Sequence, residues 1–197
     1  MKTVPSELER TLFAATAAQQ VPVDPFDMYR PTGPEERLSR FFGAAYALYW
    51  QAERSRHRAR SWRNFCVGCG VFAYREDPPL DAGRFRAFYG MNSKPEKDGR
   101  NICAEPIPID GATAIGYERA IGLVVIGETQ EDEGHNIPPT LRPCKFCRQF
   151  MRKSPIIMPE TIIVTALPPP HPEAEWGEIT HEVHTFAELC ALYGEAL

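Results

Sequence analysis

No apolar run in this 197-residue chain approaches the roughly 20 residues that a membrane-spanning helix requires. The start of the sequence, MKTVPSELER, carries acidic residues where a secretory signal would need an apolar segment. These two absences predict a cytoplasmic protein with no membrane association. In that reducing compartment, metal binding or catalysis explains the six cysteines more readily than disulfides do.

A surplus of positive charge is also missing, because 22 lysines and arginines face 26 acidic residues, for a net charge of -4. Such a chain has no long-range attraction toward a polyanion, so we favour a small-molecule partner over nucleic acid. A local run of five arginines from Arg54 to Arg63 is typical of a solvated helix end and loop. The five histidines show no metal-like pairing except His181-x-x-His184, which we expect to be solvated.

The hydrophobic pattern predicts one domain preceded by an extension. Prolines between residues 22 and 34 indicate that residues 1–35 are an extension and linker, and that the domain covers residues 36–197. Apolar residues at helical spacing predict a helix over 35–55. Further predictions are strands at 64–74, 85–91, 121–127 and 161–167, an edge strand within 176–183, and helices within 103–120, from 143–144 and at 186–193. This order predicts a three-layer α/β/α domain with a mixed sheet of about five strands.

Two cysteine segments have the composition of a catalytic metal site. Cys144 and Cys147 are spaced so that both sulfurs can reach one ion from the first turn of a helix, where free backbone N–H groups favour thiolates. Cys103 offers a third ligand, and Glu105 follows it two residues later. Three protein ligands leave the fourth position of a zinc ion for water, which zinc acidifies. A carboxylate beside it can move the protons.

These two segments resemble the signature of zinc-dependent deaminases, in which a Cys-Ala-Glu or His-Ala-Glu segment precedes Pro-Cys-x-x-Cys. The all-cysteine ligand set and the Cys-Arg-Gln ending are similar to those of the free-nucleoside cytidine deaminases. Less specific matches at Phe65-Cys-Val-Gly68, Tyr89-Gly-Met-Asn92 and 185–194 extend the likeness over about 38–197. The resemblance implies zinc-dependent deamination of cytidine, deoxycytidine or a related nucleoside in pyrimidine salvage, by a homotetramer or homodimer.

The resemblance also assigns roles to residues. It implies that Cys103, Cys144 and Cys147 bind zinc and that Glu105 transfers protons during catalysis. It further implies that substrate contacts come from four residues of this chain, namely Phe65, Asn92, Ala104 and Lys94.

Two positions depart from the family pattern. Pro106 stands where the family has an arginine that offsets the charge of three thiolates, so Arg148 or helix-end N–H groups are expected to compensate. Lys94 stands where the family has a ribose-binding carboxylate. A lysine cannot accept a hydrogen bond from a sugar hydroxyl, but it can meet a phosphate or a substrate carboxylate. We therefore expect loop 92–101, which also contains Lys97 and Arg100, to alter the specificity.

Pro106 and Pro108 also bear on where the helix after Cys103 begins. Because Pro108 would be awkward in a helix that began at Cys103, the helix is either bent or begins nearer Asp110.

Two alternatives remain open at the level of sequence. Cys66, Cys69, Cys144 and Cys147 would together make a closed four-thiolate zinc site with no catalytic water. Against this, a spacing of three in a strand-like run directs Cys66 and Cys69 to opposite faces. The second alternative is a deaminase that acts on a base within nucleic acid, which only the arginine run at 54–63 supports.

Overall fold

The computed structural model describes residues 33–61, 64–77, 83–96, 101–129 and 138–197. Most of the proposed N-terminal extension, together with Lys97 and Arg100, lies outside these residues. The helices are α1 (Pro34–Arg56), α2 (Pro106–Ala114), α3 (Lys145–Lys153) and α4 (Phe186–Ala191). The strands are β1 (Arg60–Ser61), β2 (Gly68–Tyr74), β3 (Phe85–Met91), β4 (Ser93–Lys94), β5 (Arg119–Ile126), β6 (Ile162–Ala166) and β7 (His181–Thr185).

The main sheet has five strands in the order β3-β2-β5-β6-β7. Strands β5 and β6 are parallel, and the other neighbouring pairs are antiparallel, so the predicted mixed sheet is confirmed. Helix α3 lies in the crossover between the two parallel strands, as such a connection requires. A separate parallel pair joins β1 to β4.

Each face of the sheet is covered by helices, which gives the predicted three layers. On one face, Leu123 and Val125 of β5 pack in a cluster with residues of α2, α3 and α4. On the other face, Val124 and Ile126 pack against the apolar stripe of α1. The alternation follows from the two-residue period of a strand, and it buries the central strand β5 on both faces from Gly122 to Ile126.

Helix α1 realises the helix expected at 35–55, and its buried stripe includes Phe41, Ala45 and Leu48. It lies unusually close to β2 at Gly68. A Cβ atom at that position would overlap the carbonyl group of Ala52, so the close approach requires glycine. None of the described helices has both the length and the apolar character needed to cross a membrane.

The edge strand expected within 176–183 is only partly correct. Residues Trp176–Glu178 form a 3-10 helix, and the strand begins at His181. The Trp176 ring packs edge-on against Tyr46 and Tyr49 of α1, with ring centroids 6.2 Å and 5.6 Å away. Burial of this large ring against α1 outweighs the extended tendency of its segment.

Candidate metal centre and substrate site

The start of α3 presents two cysteines on one side. Cys144 is the residue that precedes the first turn and has extended backbone angles, and Cys147 lies within the helix. Their Sγ atoms are 3.5 Å apart. Residues three apart at a helix start lie on the same face, which explains how this short segment brings both thiols together.

The third thiol arrives from the segment before α2. Helix α2 leads into β5 and helix α3 leads into β6, and these two strands are parallel neighbours. Because each helix runs back along the sheet before its strand starts, both helices begin near the carboxyl ends of the strands. The Sγ atom of Cys103 consequently lies 4.0 Å from that of Cys144. All three sulfurs lie within 4.8 Å of one another, and among the described residues they are the one cluster suited to a metal ion.

The distances between the sulfurs fit a zinc ion. Tetrahedral Zn–S bonds of about 2.3 Å separate two sulfur ligands by about 3.8 Å. The observed separations of 3.5 Å and 4.0 Å lie on either side of this value. A compact group of three thiols is also the soft donor set that zinc accepts. The three cysteines can therefore hold a zinc ion without rearrangement of the backbone.

Cys144 is the most acidic thiol of the three. Close contacts with the Cys103 and Cys147 sulfurs, together with the backbone N–H groups of Cys147 and Phe146, lower its pKa far below the ordinary value. The same sulfur contacts raise the pKa of Cys103 and Cys147. The N–H groups at the start of α3 thus supply part of the positive potential that three thiolates need.

Helix α2 begins directly after Glu105, at Pro106. Pro106 and Pro108 both lie in the first turn, where no N–H group has an intrahelical partner to lose. Of the two alternatives expected, a helix that begins nearer Asp110 is therefore wrong. Gly90 of β3 permits the approach of this turn, because a Cβ there would lie 2.5 Å from Pro108 and 2.7 Å from the Ala104 carbonyl oxygen.

Glu105 is a buried carboxyl group beside the thiols, and its exposed fraction is 5%. Burial raises the pKa of Glu105, while its own backbone N–H and a hydrogen bond from the Cys147 thiol act in the opposite direction. The charge of Cys144 raises the pKa again, and the Lys94 ammonium lowers it. Glu105 therefore lies close to both the thiol cluster and a cation.

Two of the residues expected to contact a substrate meet beside this carboxyl group. The Nζ atom of Lys94 lies 5.7 Å from the centroid of the Phe65 ring. Both side chains are half-buried, and Ala104 is completely buried against the core between Cys103 and Glu105. The structure thus brings Phe65 and Lys94 together on the Glu105 side of the thiols.

Asn92, also expected at the substrate, is used inside the protein. Its Oδ1 accepts a hydrogen bond from the Val67 backbone N–H at 2.8 Å, and its Nδ2 donates to the Phe65 carbonyl oxygen at 2.7 Å. The side chain is buried and holds the backbone around Phe65 in place. Contact between Asn92 and a substrate stays a prediction.

Arg148, one of the groups expected to offset the thiolate charge, forms its hydrogen bonds with other groups. Its Nε and Nη2 atoms donate to the carboxylate of Glu195 at 3.2 Å and 2.7 Å, and its Nη1 donates to the Pro143 carbonyl oxygen at 2.8 Å. The guanidinium also lies 3.6 Å from the centroid of the Tyr193 ring. Arg148 therefore anchors the residue before Cys144 to the C-terminal segment.

A second ion pair holds the same loop, and sequence reasoning missed both pairs. Arg142 Nη2 donates to Glu182 of β7 at 2.5 Å, and the Thr140 hydroxyl donates to the same carboxylate. Arg142 and Glu182 lie 40 residues apart, so no local pattern relates them. The loop that presents Cys144 is thus fixed from both sides.

The closed four-thiolate alternative is wrong for the structure described. Cys69 is completely buried in the core cluster, and the Cys66 thiol is directed toward the Ala59 carbonyl oxygen at 4.0 Å. Neither joins Cys144 and Cys147 in the group of thiols that can hold a metal.

The arginine run presents less positive charge to a ligand than its sequence indicates, because one of its arginines pairs with a carboxylate of the protein. Arg56 donates two hydrogen bonds of 2.6 Å to the buried carboxylate of Glu53. Arg63 lies outside the described residues, and Arg54, Arg58 and Arg60 are exposed.

Comparison with solved structures identifies the fold. A cytidine deaminase from Burkholderia pseudomallei aligns with a TM-score of 0.52 and 24% identity, over 73% of this chain and 94% of that chain. Cytidine deaminases from Mycobacterium leprae (TM-score 0.47, 24% identity, 74% and 95% of the two chains) and Mycobacterium tuberculosis (0.47, 21%, 74% and 92%) also align. No family model and no curated protein sequence matches this chain. The chain has the fold of the cytidine deaminases, as the first of these alignments shows.

Proposed function

We propose that this chain is a zinc-dependent deaminase that converts a cytosine-type nucleoside into the uridine-type product and ammonia. One observation carries the proposal, namely the convergence of three thiols with the buried carboxyl group of Glu105 on this fold. A closed structural zinc site would not need a carboxyl group beside the metal ligands.

Cys103, Cys144 and Cys147 would hold the zinc ion. When bound, zinc supplies the Lewis acidity that ionises a water molecule near neutral pH. The remaining chemistry falls to the protein. Glu105 accepts one proton of the water and passes it to N3 of the cytosine ring. It then takes the remaining proton from the oxygen bonded to C4 and delivers it to the amine that leaves from C4. A C4–O bond forms, the C4–N bond breaks, and ammonia departs.

The other assignments belong to the same proposal. The half-buried Phe65 ring offers an apolar surface for the base, and Ala104 is the small residue between the proposed metal ligand Cys103 and Glu105. A homotetramer or homodimer follows from the resemblance alone and stays a prediction. The cytoplasmic location and the division into an extension at 1–35 and a domain at 36–197 also stay predictions.

The test is a Glu105→Gln variant assayed for ammonia release from cytidine, deoxycytidine and cytidine 5′-monophosphate. Loss of a positioned acid–base group should lower kcat by about 10²–10⁴-fold. Zinc content, measured by elemental analysis, should stay at the wild-type level, since Glu105 is not a ligand.

Glu118→Gln is the matched control, because it makes the same chemical change at an exposed carboxylate before β5. Normal ammonia release by Glu105→Gln would overturn the role of Glu105. Failure of the zinc-loaded wild-type chain to release ammonia from any of the three compounds would overturn the proposed function.

A further inference from the structure

Lys94 is a cation that no described carboxylate contacts as a counter-charge. Arg40 and Arg56 of α1, and also Arg142, Arg148 and Arg152 around α3, each form an ion pair with a described carboxylate, whereas Lys94 forms none with a described residue. Its nearest described aromatic contact is the Phe65 ring. A half-buried ammonium group has lost part of its hydration, so an anionic ligand would restore favourable interactions there.

The backbone holds Lys94 firmly relative to the thiol cluster. Ser93, its neighbour in β4, exchanges two backbone hydrogen bonds of 2.9 Å with Ile102, the residue before Cys103. On the other side, β4 pairs with β1, and Ser61 lies opposite Lys94. Ser61 Oγ accepts a hydrogen bond from the Phe65 N–H at 3.2 Å, so a hydroxyl group also belongs to this corner. Lys94 is therefore fixed between the metal segment and the Phe65 segment.

Lys94 lies beside the group of residues that forms the site. Its ammonium group is 5.7 Å from the centroid of the Phe65 ring, and Phe65 packs against the same buried cluster as Cys103. The chain as a whole is acidic, with a net charge of -4, so an anionic substrate gains nothing from the overall charge. A local cation beside the reacting groups would be needed to bind such a substrate.

We propose that Lys94 binds an anionic group of the substrate, a phosphate or a carboxylate on the sugar side of a cytosine-type compound. This inference rests on the proposed function and makes the substrate class narrower than a neutral nucleoside. The ammonium forms a charge-assisted hydrogen bond with the anion while the base contacts Phe65. Lys94 acts on specificity and takes no part in the proton transfers.

The experiment compares substrates that differ only in the group at the 5′ position, which is neutral in one and anionic in the other two. Ammonia release is measured with cytidine, cytidine 5′-monophosphate and cytidine 5′-carboxylate for the wild type, Lys94→Gln, Lys94→Arg and the control Lys153→Gln. Lys153 is exposed at the far end of α3. The wild type should prefer one of the two anionic substrates, and which of them it prefers tells phosphate from carboxylate.

The decisive quantity is the ratio of kcat/KM for the preferred anionic substrate to kcat/KM for cytidine. Lys94→Gln should lower this ratio about 10-fold or more, because a hydrogen bond to a charged group is lost. Lys94→Arg should retain most of it, and Lys153→Gln should leave it unchanged. If Lys94 were only a counter-ion for Glu105, Lys94→Gln would lower kcat/KM equally for both substrates. The ratio would then stay constant, and this result would overturn the inference.

A binding measurement separates this inference from the proposed function. Uridine 5′-monophosphate, uridine 5′-carboxylate and uridine are titrated calorimetrically into the zinc-loaded wild type and Lys94→Gln. Tighter binding of an anionic compound that is lost in Lys94→Gln supports the anion subsite even if ammonia is never released. Deamination of cytidine without any Lys94-dependent preference for an anion overturns the subsite and leaves the deaminase assignment intact.

Discussion

Two Cys-x-x-Cys segments of identical spacing place their thiols differently in this protein. Cys144 and Cys147 begin a helix, and their sulfurs are 3.5 Å apart beside a third thiol. Cys66 and Cys69 lie at the start of a strand, where Cys69 enters the core and Cys66 is directed toward a loop carbonyl oxygen. The difference shows that spacing alone does not make a metal site, because the backbone between the cysteines decides whether they share a face.

The two segments also differ in what holds them. A single amide, that of Asn92, bridges the backbone on either side of Cys66. The second segment is secured by two ion pairs, Arg142 with Glu182 and Arg148 with Glu195. Paired charges therefore hold the segment where three thiols must converge, whereas an uncharged amide holds the residues around Cys66. Single-residue changes in the two segments should therefore have unequal effects.

The largest expected difference concerns zinc content. Cys103→Ser should remove bound zinc almost completely, since it deletes one of only three protein ligands, whereas Cys66→Ser should retain it. Elemental analysis after dialysis against a weak chelator measures both. Loss of zinc in Cys66→Ser with retention in Cys103→Ser would reverse the comparison and restore the closed site.

A smaller effect is expected at the anchor of the helix that carries Cys147. Arg148→Ala leaves the Pro143 carbonyl oxygen and Glu195 without their buried donor, so the free energy of unfolding should fall by about 2–4 kcal/mol. Arg152→Ala removes an exposed partner of the same carboxylate and should lower the free energy of unfolding much less than Arg148→Ala does. Urea-induced unfolding of the zinc-loaded variants compares them. Equal losses would show that Arg148 is no more than a surface ion pair.

The smallest effect concerns acid stability at Glu182. Burial acts to raise the pKa of this carboxyl group, but the nearby His184 ring and the hydrogen bonds from Arg142 and Thr140 prevail and lower it to about 2. Because the folded pKa lies below the ordinary value of 4.5, the ion pair stabilises fully above that value and is lost as the pH falls toward 2. Glu182→Gln should remove this part of the pH dependence, which we expect to be under about 2 kcal/mol because the pair is partly solvated.

Thermal unfolding between pH 2 and 6 tests the prediction, with the exposed Glu118→Gln as control. The stability curves of wild type and Glu182→Gln should converge as the pH approaches 2. Curves that stay parallel throughout this range would contradict an ionised Glu182 in the folded state.

The start of β2 illustrates what the sequence pattern could not predict. The apolar run at 64–74 predicts a strand from Asn64, but β2 begins at Gly68. Before that point, the Val67 N–H and the Phe65 carbonyl group are bonded to the Asn92 side chain instead of a sheet partner. A distant side chain thus ends the ladder, and no local pattern reveals such a partner.

Local chemistry was readable from the sequence alone. The period of apolar residues specified α1 and the central strands, and the spacing of Cys144 and Cys147 at a helix start specified two thiols on one face, because both depend on neighbours within one or two turns of chain. The tertiary structure decided which thiol joined them, since Cys103 lies 41 residues from Cys144 and reaches it through the parallel order of β5 and β6. It also decided that Glu105 is buried, that Arg148 pairs with Glu195, and that Lys94 meets Phe65. These contacts join segments far apart in the chain, so packing of the whole sheet and its helices determines them.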